Sequence, residues 1–109
     1  MDMVTPRRFD VFLVSLDPTV GAEMRKTRPC VIVSPDEANR HMRTAVVVPL
    51  TSTLRSFPSR VPVRFRGRDG QLAIDHIRAV DCTRLARRIG AIKPDEGHRL
   101  AAVIRTYFG

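Results

Sequence analysis

A chain of 109 residues with 43% hydrophobic content can build one domain around one core, and it is small enough that a homodimer is the expected assembly. Nineteen basic side chains against eleven acidic give a net charge of +8. Only Lys26 and Lys93 are lysines, so the charge belongs to arginine, whose planar fork grips phosphate through two hydrogen bonds and stacks on bases. Nucleic acid is the leading partner and an acidic protein the second. No run approaches the ~18–20 apolar residues of a membrane span, and MDMVTPRRFD carries no apolar signal core, so the expectation is a cytoplasmic protein without membrane contact.

Residues 1–7 read as a loose arm on a single domain that takes in the whole chain. In FDVFLVSL apolar residues fall on both faces, which predicts a strand buried in a barrel or between layers. DPTVGAEMRKTRP, residues 17–29, then reads as a long polar loop stiffened by Pro18 and Pro29 and freed at Gly21. Most connections are about 4–6 residues, so a loop of this length suggests a task. PCVIVS is a second strand. DEANRHM fits one or two helical turns, and TAVVVPL is a third strand, β-branched and central, ended by Pro49.

Thr51, Ser52 and Thr53 form a hydroxyl cluster at the tip of that strand, and the stretch to Ser59 reads as a mobile loop. In RVPVRFRG, Val61, Val63 and Phe65 face one way and Arg60, Arg64 and Arg66 the other, a half-buried strand with an arginine stripe on its wet side. Pro62 makes it an edge or gives it a bulge. RGRDG closes a hairpin into QLAID and HIRAVD, and CTRLARRIGAI adds a turn and a short strand. A helix closes the chain, with Pro94, Asp95 and Glu96 in its first turn and a stripe of Leu100, Val103, Ile104, Tyr107 and Phe108. Lys93 is a poor cap, and Gly97 costs about 1 kcal/mol against alanine. Five to seven short strands and one C-terminal helix predict a mainly β fold, a small and strongly curved antiparallel sheet or barrel.

The candidate chemistry suits an RNA phosphodiester, whose own 2′-hydroxyl attacks if a base takes its proton and donors stabilise the charged phosphorane. Arg28, beside Pro29 at a strand start, is the first choice for holding the phosphate, and a structural ion pair to Glu23 or Asp17 is the alternative. Thr51 and Ser52 can donate to phosphate oxygens without adding charge, or can simply be turn residues. Asp75 and His76 are a further pair, although neighbours in a strand point to opposite faces. Glu23, Asp75 and Asp81 lack partners for a metal, since His41, His76 and His98 have no ligand spacing, and no cofactor is expected. Cys30 and Cys82 sit in apolar sequence, which predicts reduced, structural thiols.

Three motifs in order, LDPTVGAEMRKTRP at 16–29, PLTST at 49–53 and DHIRAVD at 75–81, resemble the MazF/PemK family of toxin endoribonucleases from type II toxin–antitoxin pairs. The resemblance spans from about Arg8 to the last helix. It implies an SH3-like barrel working as a homodimer, and a sequence-selective, metal-independent endoribonuclease cutting single-stranded RNA such as mRNA. The ends left would be a 2′,3′-cyclic phosphate and a 5′-hydroxyl. It also implies a cognate acidic antitoxin lying along the basic groove.

Arg28 and Thr51 match the residues the family ties to cleavage. Glu23 matches its loop glutamate, as base or as the group orienting Arg28, and Asp75 matches an aspartate used in proton transfer. The glutamine that usually follows is His76 here. Ala22 and Ala73 stand where some PemK-like members carry a histidine and an arginine, so the proton-transfer scheme should follow the MazF-like branch. Arg25, Lys26, Ser52, Thr53, Arg55, Phe57, His76 and Arg78 are the expected RNA contacts, with Arg60, Arg64, Arg66, Arg84, Arg87 and Arg88 as further backbone contacts. Two other readings stand beside this one: a non-enzymatic toxin similar to the CcdB gyrase poisons, and a non-catalytic RNA-binding module.

Overall fold

The computed structural model describes residues 5–16 and 27–109. Seven strands pair antiparallel: β1 (Asp10–Ser15), β2 (Thr27–Ile32), β3 (Thr44–Thr51), β4 (Arg60–Phe65), β5 (Arg68–Ala73), β6 (Arg78–Asp81) and β7 (Leu85–Ala91). A short helix α1 (Asp36–His41) lies between β2 and β3, and α2 (Pro94–Phe108) ends the chain. The order across the sheet is β4-β5-β3-β2-β1-β7, with β6 also on β3. The mainly antiparallel, barrel-like sheet with a C-terminal helix agrees with the sequence expectation.

The central strands are buried on both sides because their apolar residues alternate into two cores. Val11, Val31 and Val48 join Leu72, Ile74 and Leu100 of α2 on one side, while Phe12, Cys30, Ile32 and Val47 join Val80 and Leu85 on the other. The β4–β5 hairpin turns at Arg66 and Gly67, both at positive φ, the conformation that suits a two-residue hairpin. Its tip folds over towards β7: Arg66 donates to the Ile89 carbonyl, and the Phe65 ring sits where a Cβ on Gly90 would be only 3.1 Å away. The sheet thus curls shut through side chains and not through a ladder.

Four local expectations change. Thr27, Arg28 and Pro29 belong to β2 and not to the loop, because they pair with Ser15, Val14 and Leu13 of β1. Pro49 does not end β3. One edge of β3 serves β6 at Thr44–Val47 and β5 at Leu50–Thr51, and Pro49 falls between those stretches, where no N–H is needed on that side. Of the expected loose arm, residues 1–4 lie outside the described residues, while Pro6 is buried, Arg7 N donates to Asp10 Oδ2 at 2.9 Å and Arg8 N to Asp36 Oδ1 at 2.7 Å. The 53–59 connection is strapped down: Arg55 N donates to Gln71 Oε1 at 3.0 Å, and Gln71 Nε2 donates back to the Arg55 carbonyl at 3.1 Å.

Pro62 sits on the edge strand, as a missing N–H requires. That edge is partly covered by α2, since Glu96 Oε2 accepts from Arg64 N at 3.1 Å. Glu96 Oε1 also accepts from Lys93 N at 3.0 Å, which supplies the helix start with the cap that a lysine side chain cannot.

Candidate active site

Antiparallel pairing of β2 with β3 sets Cys30 opposite Pro49, and continuing that register by two residues brings Arg28 opposite Thr51. Both side chains line the same two hollows. The larger, about 640 Å³, has an apolar floor that includes Leu13, Pro29, Leu50, Phe65 and Ile89, and a polar rim that includes Ser52, Thr53, Arg66, Arg68 and Asp69. The smaller, about 360 Å³, adds Leu16, Pro49, Arg60, Ala73, His76 and Arg78. Arg28 and Thr51 therefore stand on the ridge where two concave surfaces meet.

Each is held by backbone. Arg28 is fixed in β2 by its pairing with Val14 of β1, and among the described residues its guanidinium has no hydrogen-bond or ion-pair partner. Thr51, half-buried as the last residue of β3, accepts a hydrogen bond at Oγ1 from Thr53 N at 3.0 Å. With that oxygen serving as acceptor, the hydroxyl proton is left to donate towards an anion. The rim is strongly cationic, with Arg28, Arg66 and Arg68 around one hollow and Arg28, Arg60 and Arg78 around the other.

The turn after β5 is 3₁₀ over Ile74–His76 and not extended, so Asp75 and His76 do not diverge. His76 Nε2 lies 3.4 Å from Asp75 Oδ2, and the imidazole is 65% exposed. Asp75 lines neither hollow. Its Oδ1 accepts from Arg60 Nε at 2.9 Å and Ser59 Oγ at 2.8 Å, and its Oδ2 from Arg60 Nη2 at 3.2 Å. The Arg60 guanidinium, helped by the Ser59 hydroxyl, holds this carboxyl at about 2, against an opposing push from burial. A carboxylate so well supplied with donors is a weak base.

Of the expected RNA contacts, Ser52 and Thr53 line the larger hollow, and His76 and Arg78 the smaller. Arg78 Nη1 also donates to the Leu16 carbonyl at 3.3 Å. Arg55 and Phe57 line neither hollow: Arg55 is strapped to Gln71, and Phe57 lies under Arg60 with 48% of its surface exposed. Glu23, Arg25 and Lys26, together with Asp17 and Ala22, lie outside the described residues. Arg64 pairs with Asp69 at 3.0 Å, Arg84 donates to the Ser15 carbonyl, and Arg88 pairs with the buried Asp10 at 3.0 Å. These contacts occupy part of the arginine surface that the composition suggested for RNA.

Sequence reasoning missed the floor of the larger hollow, because Leu13, Phe65 and Ile89 come from three distant strands and carry no shared local signal. Among the described residues no group of three or more histidines, cysteines or acids is placed to hold a metal. Asp81 caps the turn at Cys82–Arg84, accepting from Thr83 N and Oγ1, which lowers its pKa. Both cysteines are buried free thiols, and burial pushes Cys30 up to about 12. No helix among the described residues is long and apolar enough to cross a membrane.

Residues 7–108 match the family described as PemK-like, MazF-like toxin of type II toxin-antitoxin system. The chain is 30% identical over 105 residues to the endoribonuclease toxin MazF of Escherichia coli strain K12, covering 95% of each. Endoribonuclease PemK of Escherichia coli shares 56% identity over 45 residues, which is 41% of this chain and 34% of that protein. An endoribonuclease of known structure from a mycobacterial species superposes with a TM-score of 0.80 at 26% identity, covering 98% of this chain and 94% of the other. A mycobacterial endoribonuclease solved in complex with its cognate antitoxin gives 0.81 at 26% identity, over 95% of each chain.

Proposed function

Because the chain belongs to the PemK-like, MazF-like toxin family of type II toxin–antitoxin systems, we propose that it is an endoribonuclease toxin that cuts single-stranded RNA, with mRNA as its target. Arg28 grips the scissile phosphate and stabilises the phosphorane. Thr51 donates its hydroxyl to a non-bridging oxygen. The ribose 2′-hydroxyl attacks, the bond to the 5′ oxygen breaks, and the products carry a 2′,3′-cyclic phosphate and a 5′-hydroxyl. No metal takes part. Glu23 and His76 are the two candidate proton carriers, and base choice resides in the loops around the cleft. One observation carries the reading: Arg28 and Thr51, from separate strands, share the ridge between two cationic hollows.

The protein works in the cytoplasm as a homodimer, which carries twice the +8 of one chain, and an acidic antitoxin covers the same groove. A relative solved with its cognate antitoxin supports that partner. The test is to incubate purified protein with RNA in excess EDTA and to examine the fragment ends. Cyclic phosphate ends, and a loss of roughly 10²-fold or more in Arg28→Ala, are expected. Toxicity that survives Arg28→Ala without RNA cutting would move the assignment to a non-enzymatic toxin.

A further inference from the structure

The alternation of RVPVRFRG puts Arg60 on a wet strand face, yet its side chain is only 8% exposed. Its Nε and Nη2 take both carboxylate oxygens of Asp75, and Nη1 donates to the Thr53 carbonyl at 3.1 Å and to Gln71 Oε1 at 3.3 Å. The guanidinium carbon lies 5.3 Å from the centroid of the Phe57 ring. One cation therefore joins β4, the 53–59 connection, β5 and the turn that carries His76. It also lines the smaller hollow beside Arg28 and Thr51.

We propose that, if the RNA-cleaving reading above holds, Arg60 and Asp75 are positioning residues of that site. Their ion pair sets the Thr51–Thr53 hydroxyls and His76 around the scissile phosphate, and Asp75 exchanges no proton during turnover. Three observations support this. Among the described residues Asp75 lies outside both hollows and reaches the site through Arg60, Ser59 and the edge of His76. Donors already occupy both of its oxygens. Arg60 has its charge balanced at 2.9 Å, so it offers a phosphate far less than Arg28 does. What Arg60 can do is fix where the backbone of Thr53 sits, and a displacement of about 1 Å at a reacting centre can cost on the order of 100-fold in rate.

The experiment uses the full chain and a labelled RNA oligonucleotide that the parent protein cuts. It follows single-turnover cleavage and RNA binding, with circular dichroism as the check on folding. Arg60→Lys keeps the charge but loses the fork, so cleavage should fall on the order of 10- to 100-fold while RNA affinity stays within about threefold. Asp75→Asn should lower the rate at every pH while keeping both limbs of the pH–rate profile. Gln71→Met keeps the Arg60–Asp75 pair and cuts the straps to Thr53's neighbours, so it should slow cleavage less, by about three- to tenfold. It reads the route from Arg60 to the 53–59 connection by itself.

Parent-like cleavage by Arg60→Lys, or by Asp75→Asn where only that variant folds, overturns the positioning role, and parent-like cleavage by Gln71→Met overturns the route through the 53–59 connection. Loss of one pH limb in Asp75→Asn overturns the statement about proton exchange. A parent protein that cuts no RNA overturns the proposed function itself, and is seen before any variant is made.

Discussion

The ring of Phe9 lies so close to Gly97 that a Cβ on that glycine would stand 2.6 Å from two of its carbons. Phe9 cannot easily retreat: its φ is 75°, its N–H donates to the Ile32 carbonyl at 2.7 Å, and its own carbonyl accepts from Ile92 N at 3.0 Å. Glycine costs the helix about 1 kcal/mol against alanine, and here that cost is offset by bringing α2 against the sheet. Gly97→Ala should therefore destabilise the protein by about 1–3 kcal/mol, read as a lower urea midpoint, with partial recovery in a Phe9→Leu background. A raised midpoint would mean that helix propensity outweighs the contact.

At Arg28 the fork should matter as much as the charge. Lysine can supply one point charge but not two parallel donors, so Arg28→Lys should lose roughly 10- to 100-fold in cleavage. The side chain is exposed, so the thermal midpoint should hardly move. Parent-like cutting by the lysine variant would reduce the role of Arg28 to non-specific attraction.

Acid should weaken the fold through Asp75. Its carboxyl falls from the ordinary 3.8 to about 2 in the folded protein, chiefly because Arg60 hydrogen-bonds its charged form. The stabilisation this gives is fully present above about pH 4 and is lost as pH falls towards 2. The stability gap between parent and Asp75→Asn, measured by urea unfolding, should be wide at pH 7 and should narrow between pH 4 and pH 2. A gap that keeps its width down to pH 2 would show that charge at this position contributes nothing.

Neither cysteine should react in the native protein. Cys30 is fully buried and its thiol is pushed up to about 12, and Cys82 is raised by burial and by the nearby Asp81. A coloured disulfide reagent at pH 8 should modify both only after guanidinium is added. Rapid native labelling of either thiol would show that β2 around Cys30, or the turn at Cys82, opens readily.

Much of the fold was legible because the strongest patterns coincide with the strands that carry the core. Residues such as Val31, Ile32, Val47 and Val48 are apolar on both faces, and only a doubly covered strand accommodates that. Pro94 and Glu96 likewise marked the start of α2. What stayed hidden depended on distant contacts. Arg60 alternates with Val61 like any solvent-facing residue, and nothing near it in the chain tells that Asp75 and Phe57 will cover it. Pro29 reads as a boundary, and only its partner Leu13 on β1 shows that the strand begins earlier, at Thr27. Arg28 and Thr51 were legible as candidates through family resemblance, and their shared ridge needed the β2–β3 register.

Ser15 and Thr27 face each other as the last pair of the β1–β2 ladder, so the chain between them departs and returns at one spot beside the cleft. Closing a segment between two neighbouring anchors has a cost that grows only slowly with its length, about 0.6 kcal/mol per doubling. If the proposed RNA cutting holds, exchanging residues 17–26 for those of a relative should leave the melting temperature of the scaffold nearly unchanged and alter the choice of cut sequence, read by mapping fragment ends. That separation would let one barrel serve many RNA vocabularies.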